Sequence, residues 1–274
     1  LLIEKMISPL AHIHPDARLA AGVIVEPFTT IADDVEIGEN TWIGPNVTIM
    51  AGTRLGAHCQ VFPGAVLGAV PQDLKFAGER TTAEIGDYTV LRECVTVNRG
   101  TVDRGRTVVG RHCLLQAYVH VAHDCLIGDH VIISNAVQIA GHVTVDDWAI
   151  LGGTSAIHQF VHIGAHAFVG GGSLVRKDVP PFVKAAREPL TYAGVNSVGL
   201  RRRGFSEEQV NEIHDMYRLL FLGSMNTQEA LTRIEEEIKP SVERDLALEF
   251  VREASRGIIK SPGGRKGRAE AEEE

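Results

Sequence analysis

An aliphatic residue recurs at every sixth position through most of this 274-residue chain. The series opens Ile13, Leu19, Val25, Ile31, Ile37, Ile43, Ile49, Leu55, Val61, Leu67, and resumes at Ile85, Leu91 and Val97. It then runs unbroken from Val109 to Val175. Four residues after each aliphatic stands a small or β-branched residue, as at Val23, Thr29, Val47, Cys59, Ala65, Val119, Val131, Val143 and Ser155. A period of six is neither the 3.6 of an amphipathic helix nor the alternation of a half-exposed strand. It is the hexapeptide signature of a parallel β-helix, in which three hexads close one triangular coil of about 18 residues. Gly often follows the aliphatic directly, at Gly38, Gly44, Gly56, Gly128 and Gly164, and is expected to supply the backbone angles of the coil corners.

The beat breaks twice. Between Leu67 and Ile85 the inward slots fall on Asp73 and Glu79, and between Val97 and Val109 one falls on Asp103. An unpaired carboxylate does not belong in a dry core. Residues 69–84 and 98–107 are therefore expected to leave the wall as loops, the places on a rigid scaffold where function concentrates. The beat ends at Val175, and Pro180-Pro181 marks the exit. Ser206 with Gln209 forms a capping box ahead of VNEIHDMYRLLFL. Residues 227–239 and 241–256 read as two further amphipathic helices, split by Pro240. From Lys260 the Gly-rich, charged run KSPGGRKGRAEAEEE reads as a disordered tail. The expected organisation is mainly β: a β-helix domain over 1–188, a helical domain over 189–259 and a tail over 260–274.

Composition excludes some functions. A net charge of −8 argues against nucleic-acid binding. No segment is long and apolar enough to span a membrane. Leu1-Leu2-Ile3, followed by Glu4, is too short for a signal-peptide core, so a cytoplasmic protein is expected. The start on Leu1 instead of Met is what a trimmed chain or a fragment would show. Cys59, Cys113 and Cys125 sit in the small-residue slot and Cys94 stands apart, which reads as buried thiols in a reducing compartment.

Chemistry is expected where polar residues gather on the wall. Eight of the twelve His lie between His112 and His166. His58, His112, His130 and His166 each follow an inward aliphatic by three residues and read as solvated corners. A different set forms columns one coil apart: His123, Gly141 and Gln159 in one, Asp124 and His142 in the next, with His120 and His158 on the same strip. A neutral imidazole takes a proton from an attacking hydroxyl near pH 7. Asp124 could orient His123, and the N–H of Gly141, with no side chain in front of it, could donate to the oxyanion of an acyl-transfer intermediate. No Ser or Cys nucleophile is needed if the acceptor attacks directly.

The runs PQDLKFAGE (71–79), VHVAHDCLIGD (119–129), IAGHVTVDD (139–147), IHQFVHIGAHAFVGG (157–171) and GVNSVGLRRRGFS (194–206) resemble the UDP-N-acetylglucosamine O-acyltransferases of lipid A biosynthesis. The resemblance covers roughly residues 10 to 260. It implies a left-handed coil, against the usual right-handed crossover, and a homotrimer with sites between subunits. It implies transfer of an (R)-3-hydroxyacyl group from acyl carrier protein to the 3-hydroxyl of UDP-N-acetylglucosamine. No metal or other cofactor is implied beyond the phosphopantetheine that carries the acyl donor. By the same resemblance His123 is the general base, Asp124 its orienting partner and Gly141 the oxyanion donor. His120, His142, His158 and Gln159 would hold the sugar, the pantetheine arm or the acyl chain. Asp73 and Lys75 would contact the sugar, and Asn196, Arg202 and Arg203 the uridine diphosphate. Guanidinium groups suit phosphate. Gly171 would be the acyl-length ruler, its missing side chain admitting a long chain. Val198 departs from the resemblance, which places an acidic residue there.

Rival readings are a related N-acyltransferase of the same pathway, a 3-amino-sugar acceptor, a γ-class carbonic anhydrase and a non-catalytic β-helix that binds ice or a partner. The N-acyltransferases carry an extra N-terminal domain, whereas the beat here begins at Ile13. Zinc held by His120, His123 and His142 would imitate the carbonic anhydrase, but leaves the DLKFAGE loop, the RRRGF run and the helical segment without a purpose. The His-rich strip argues against the last reading.

Overall fold

The chain is a left-handed parallel β-helix; the computed structural model describes residues 6–223 and 225–261. Short strands, most of two residues, form three faces of eleven, nine and eight strands. The beat sets the register. On the nine-strand face Val121 pairs with Ile139 and Ile139 with Ile157, each aliphatic stacked on its equivalent one coil away. Ile31, Ile43, Ile133, Ile139 and Leu151 have no exposed surface, and each contributes about 1.5–3 kcal/mol of burial. Polar residues in the small slot are satisfied by the coil itself: buried Thr29 donates to the Gly44 carbonyl at 2.7 Å and accepts from the Val47 N–H at 3.2 Å.

The glycines do a different job from the expected one. Gly38, Gly44, Gly56, Gly128 and Gly164 are absent from the left-handed backbone region. Their neighbours leave no room for a side chain: a Cβ on Gly38 would lie 2.5 Å from the Ala57 nitrogen, and one on Gly164 2.5 Å from that of Pro181. The left-handed angles fall two residues later, on ordinary side chains such as His58, Asp124, His142 and Trp148, with φ between 56° and 63°. Hydrogen bonds to the preceding coil hold these corners, as from the His142 N–H to the His123 carbonyl at 3.0 Å.

Both loops are shorter than expected. Strands Val66–Ala69 and Thr82–Ile85 leave 70–81 outside the wall, and strands Thr96–Asn98 and Arg106–Val109 leave 99–105. Pairing reclaims the flanking residues because Ala83 and Thr107 fill small slots and are fully buried. The exit at Pro180-Pro181 is also corrected. Val183–Ala186 adds a further parallel strand beside Phe168–Val169, and Thr191–Val195 folds back on it antiparallel.

Four helices follow among the described residues: α1 (Ser197–Arg202), α2 (Glu207–Leu222), α3 (Thr227–Glu237) and α4 (Val242–Glu253). The Ser206–Gln209 capping box opens α2, and Asn226 with Glu229 forms another before α3. The short α1 carries no sequence signal long enough to be read. The last two helices end before the expected 239 and 256, where Ile238 and Ala254 turn extended. Buried Tyr217 ties α2 to the β-helix by donating to the Pro181 carbonyl at 2.7 Å. The 188/189 boundary lies between the two strands of the hairpin, and one hydrophobic core runs through both segments from Val23 to Ile259. Lys260, expected in the tail, bridges to Thr191; the tail residues 262–274 lie outside the described residues.

His58, His112, His130 and His166 are not simply solvated corners. They stack with Tyr88, Trp148 and Phe182 into one ladder down the corner between the eight- and eleven-strand faces, with ring centroids 3.9–6.2 Å apart. The four Cys are free, and burial pushes the thiols of Cys59 and Cys113 up to about 11 and that of Cys125 to about 12.

Candidate active site

His123, Asp124, Gly141 and His142 meet at the corner that follows the nine-strand face. Asp124 holds a left-handed backbone, φ 59°, and this removes the opposite-facing geometry of strand neighbours. Its side chain can therefore turn toward the preceding residue, and His123 Nδ1 lies 2.7 Å from Asp124 Oδ2. A carboxylate only accepts, so Nδ1 carries the proton and Nε2 keeps its lone pair. The His123 ring lies over Gly141, whose added Cβ would stand 2.7 Å from Nε2.

Asp124 is fully buried. Loop 99–105 supplies most of its partners: Oδ1 accepts from the N–H of Thr101 at 3.0 Å and of Arg104 at 3.2 Å, and Oδ2 accepts from the Thr101 hydroxyl at 2.7 Å. Burial opposes ionisation, but the hydrogen bonds from Thr101 and His123 outweigh it and hold the carboxyl below its usual range. Arg104 also donates to the Asp124 carbonyl at 2.8 Å, and the Asp124 N–H donates to Thr107 Oγ1 at 2.8 Å.

At the ladder corner the N–H groups equivalent to that of Gly141, on Ala57, Arg111 and Asp129, donate to carboxylates of Asp87, Asp129 and Asp147 at 2.7–2.8 Å. The same position therefore seats a negatively charged oxygen wherever one is offered. Among the described residues no acceptor meets the Gly141 N–H. His142 stacks on Phe160 with centroids 4.7 Å apart, and its Nδ1 lies 3.2 Å from Asp103 Oδ2. His120, on the outer side of the nine-strand face, meets the Thr96 hydroxyl at 2.7 Å. Burial, then the neighbouring His123, lowers its pKa. His158 and Gln159 are exposed one coil below Gly141. Asp73 and Lys75 stand on the first loop, two coils above His123, where Asp73 Oδ1 accepts from the Lys75 N–H at 3.0 Å.

The remaining expected residues lie elsewhere on the chain. Asn196 is buried; its amide accepts from the Gly199 N–H at 3.3 Å and donates to the His166 carbonyl at 2.9 Å. Arg203 lies over Trp148 at 5.2 Å and 3.2 Å from His166 Nδ1, on the ladder corner. Arg202 is exposed. Gly171 is exposed at the third corner, stacked on Gly153. Thr101, Asp103, Arg104 and Phe160 were missed by the sequence reading. The polar slot at Asp103 marks the loop, but nothing in sequence brings Thr101 to Asp124.

His123, Asp124 and His142 are close enough to share a metal ion, and His120 is not part of that group. Asp124 Oδ1, however, already accepts two hydrogen bonds and Oδ2 three, which leaves no free lone pair for a cation. The donor set suits proton transfer instead. A broad groove of about 960 Å³ runs along the eight-strand face past Arg18, Glu36 and Arg54, and none of the site residues lines it. His123 and His142 are mostly buried, their side chains 15% and 13% exposed.

Residues 178–259 match the family described as UDP-N-acetylglucosamine O-acyltransferase, domain 2, and residues 34–69 and 106–141 match the bacterial transferase hexapeptide repeats. The chain is 44% identical to the acyl-[acyl-carrier-protein]–UDP-N-acetylglucosamine O-acyltransferase of Thiobacillus denitrificans, over 93% of this chain and 99% of that protein. It is 47% identical to the Xanthomonas oryzae protein of the same name, over 93% and 98%. The crystal structure of the UDP-N-acetylglucosamine acyltransferase of Bacteroides fragilis superposes with a TM-score of 0.92 at 48% identity, over 93% of this chain and 100% of that one. With this fold, this extent of identity and this corner, the chain belongs to the UDP-N-acetylglucosamine O-acyltransferase family.

Proposed function

We propose that the chain transfers an (R)-3-hydroxyacyl group from acyl carrier protein to the 3-hydroxyl of UDP-N-acetylglucosamine, the first step of lipid A biosynthesis. The observation that carries this reading is the 2.7 Å pair of His123 and Asp124 with Nε2 over Gly141. His123 Nε2 takes the hydroxyl proton as the sugar oxygen attacks the thioester carbonyl. Asp124 stabilises the imidazolium that forms. The Gly141 N–H donates to the oxyanion of the tetrahedral intermediate. Its collapse breaks the C–S bond, and the pantetheine sulfur takes the proton back from Nε2. The acyl donor is a substrate, and no resident cofactor enters these steps. His120, His142, His158 and Gln159 line the path of sugar, pantetheine and acyl chain, with Asp73 and Lys75 on the sugar.

The nucleotide end calls for a second copy. Arg203 belongs to the ladder corner and His123 to another, so in this reading one chain does not offer both to one ligand. In a homotrimer Asn196, Arg202 and Arg203 of a neighbouring copy would face the uridine diphosphate. Gly171 would bound the acyl chain. No described helix is long and apolar enough to cross a membrane, and four free thiols suit the reducing cytoplasm.

The test is a mass-spectrometric transfer assay with UDP-N-acetylglucosamine and 3-hydroxyacyl carrier proteins of graded length. An O-acylated product is expected, and its mass gives the chain length. No product with any donor would overturn the reading, and product only from a 3-amino sugar would replace the acceptor.

A further inference from the structure

We propose that Asp103 is a positioning residue for His142, holding its Nδ1 so that Nε2 faces the acceptor sugar. The inference rests on the acyl-transfer reading above. Loop 99–105 is locked at both ends: the Gly105 N–H donates to the Thr101 carbonyl at 2.8 Å, and Thr101 and Arg104 grip Asp124. Asp103 is carried by this frame, its own N–H donating to Thr101 Oγ1 at 3.3 Å. Its carboxylate reaches two coils down to lie 3.2 Å from His142 Nδ1.

The His142 ring has little freedom. Phe160 covers one face, and His123 stands edge-on with centroids 5.2 Å apart. At 3.2 Å the pair is a charge contact without hydrogen-bond alignment, and the carboxylate favours the tautomer with its proton on Nδ1. Nε2 then points into the space shared with His123, 3.8 Å from Asp124 Oδ2 and beyond hydrogen-bond reach of it. On a side chain 13% exposed, that nitrogen is the ring's remaining polar atom for a hydroxyl or amide of the sugar. The same loop thus sets the base, through Thr101 and Asp124, and the ring beside it, through Asp103. The Asp103 side chain is 66% exposed, so its worth lies in fixing the ring and not in stability.

Steady-state kinetics on the full chain test this. Asp103→Ala is expected to raise KM for UDP-N-acetylglucosamine about tenfold with kcat within about twofold, and Asp103→Glu to recover most of the loss. In a His142→Ala background, Asp103→Ala is expected to add nothing, because its route of action is gone. An unchanged KM, additive losses in the double variant, or a fall in kcat alone would each overturn the proposal; the last is what a loosened Asp124 clamp would give. His123→Ala separates the two readings: if it turns over like the wild type, the acyl-transfer assignment fails, whatever Asp103 does.

Discussion

The imidazole of His123 occupies the space that a side chain on Gly141 would need, with Cε1 2.6 Å from the position of that Cβ. The proposed base and oxyanion donor are thus in contact across one coil, and a larger residue at 141 must displace the ring. Gly141→Ala is expected to lower kcat by at least about a hundredfold, by swinging the ring off the Nδ1–Asp124 bond. Circular dichroism should be unchanged, because Gly141 lies outside the left-handed region. A variant with near-normal kcat would show that the contact is not part of catalysis.

Asp124→Asn keeps the shape and changes the proton. An amide can donate to Nδ1, leaving Nε2 protonated and unable to act as a base. A loss of about a thousandfold or more in kcat is expected. The same change should also move acid stability. The native carboxyl is held below its usual range by Thr101 and His123, so it contributes stability above the unfolded pKa that is lost as pH falls through the folded one. Urea titrations at pH 7 and pH 3 should show a smaller difference for the variant than for the wild type.

His166 gives the opposite carrier of pH dependence. Burial, reinforced by the Arg203 guanidinium, lowers its pKa to about 4 from an ordinary 6.5. The unfolded chain then binds the proton first, and stability declines as pH falls from about 6.5 to about 4, by up to roughly 3 kcal/mol. His166→Phe should remove that slope. The ladder accepts a phenyl ring, and Phe160 and Phe182 already adopt the same corner backbone. An identical slope in the variant would place the titration elsewhere.

Gly128→Ala tests the close approach of the coils. The added methyl would stand 2.3 Å from Asp147 Oδ1 and 2.8 Å from the Asp147 nitrogen. A cost of about 1–3 kcal/mol, read as a fall of several degrees in Tm, is expected. An unshifted Tm would mean that the coils separate at little cost.

Gly171→Met should shift donor preference toward shorter acyl chains. Its Cβ would meet the Gly153 carbonyl oxygen at 3.2 Å, so the side chain is accommodated with a small adjustment and projects outward. An unchanged donor profile would remove the ruler role.

The fold was legible because one slot in six must be aliphatic at every coil, and the eye needs only Val121, Ile139 and Ile157 to find the stack. The column His123–Gly141–Gln159 follows from the same arithmetic. What the spacing hides is the origin of the corner angles. A left-handed φ at Asp124 or Trp148 leaves no compositional trace when hydrogen bonds from the neighbouring coil support it, so Gly was credited with work done by other residues. Loop contacts were equally hidden. Thr101 is an ordinary residue in a run without periodicity, and only the folded loop brings it to Asp124. The ladder was missed because His58, His112, His130 and His166, taken singly, read as solvated corners.

The antiparallel strand Thr191–Val195 bears on a hazard intrinsic to this architecture. A coil that repeats along one axis ends in an open row of N–H and C=O groups, to which another copy could add as the next turn. Here the terminal strand on the eleven-strand face runs the wrong way for that addition, and the segment from Ile258 to Lys260 lies against Asp178 and Thr191. A reversal of polarity thus removes from this face the parallel edge on which a further coil would build.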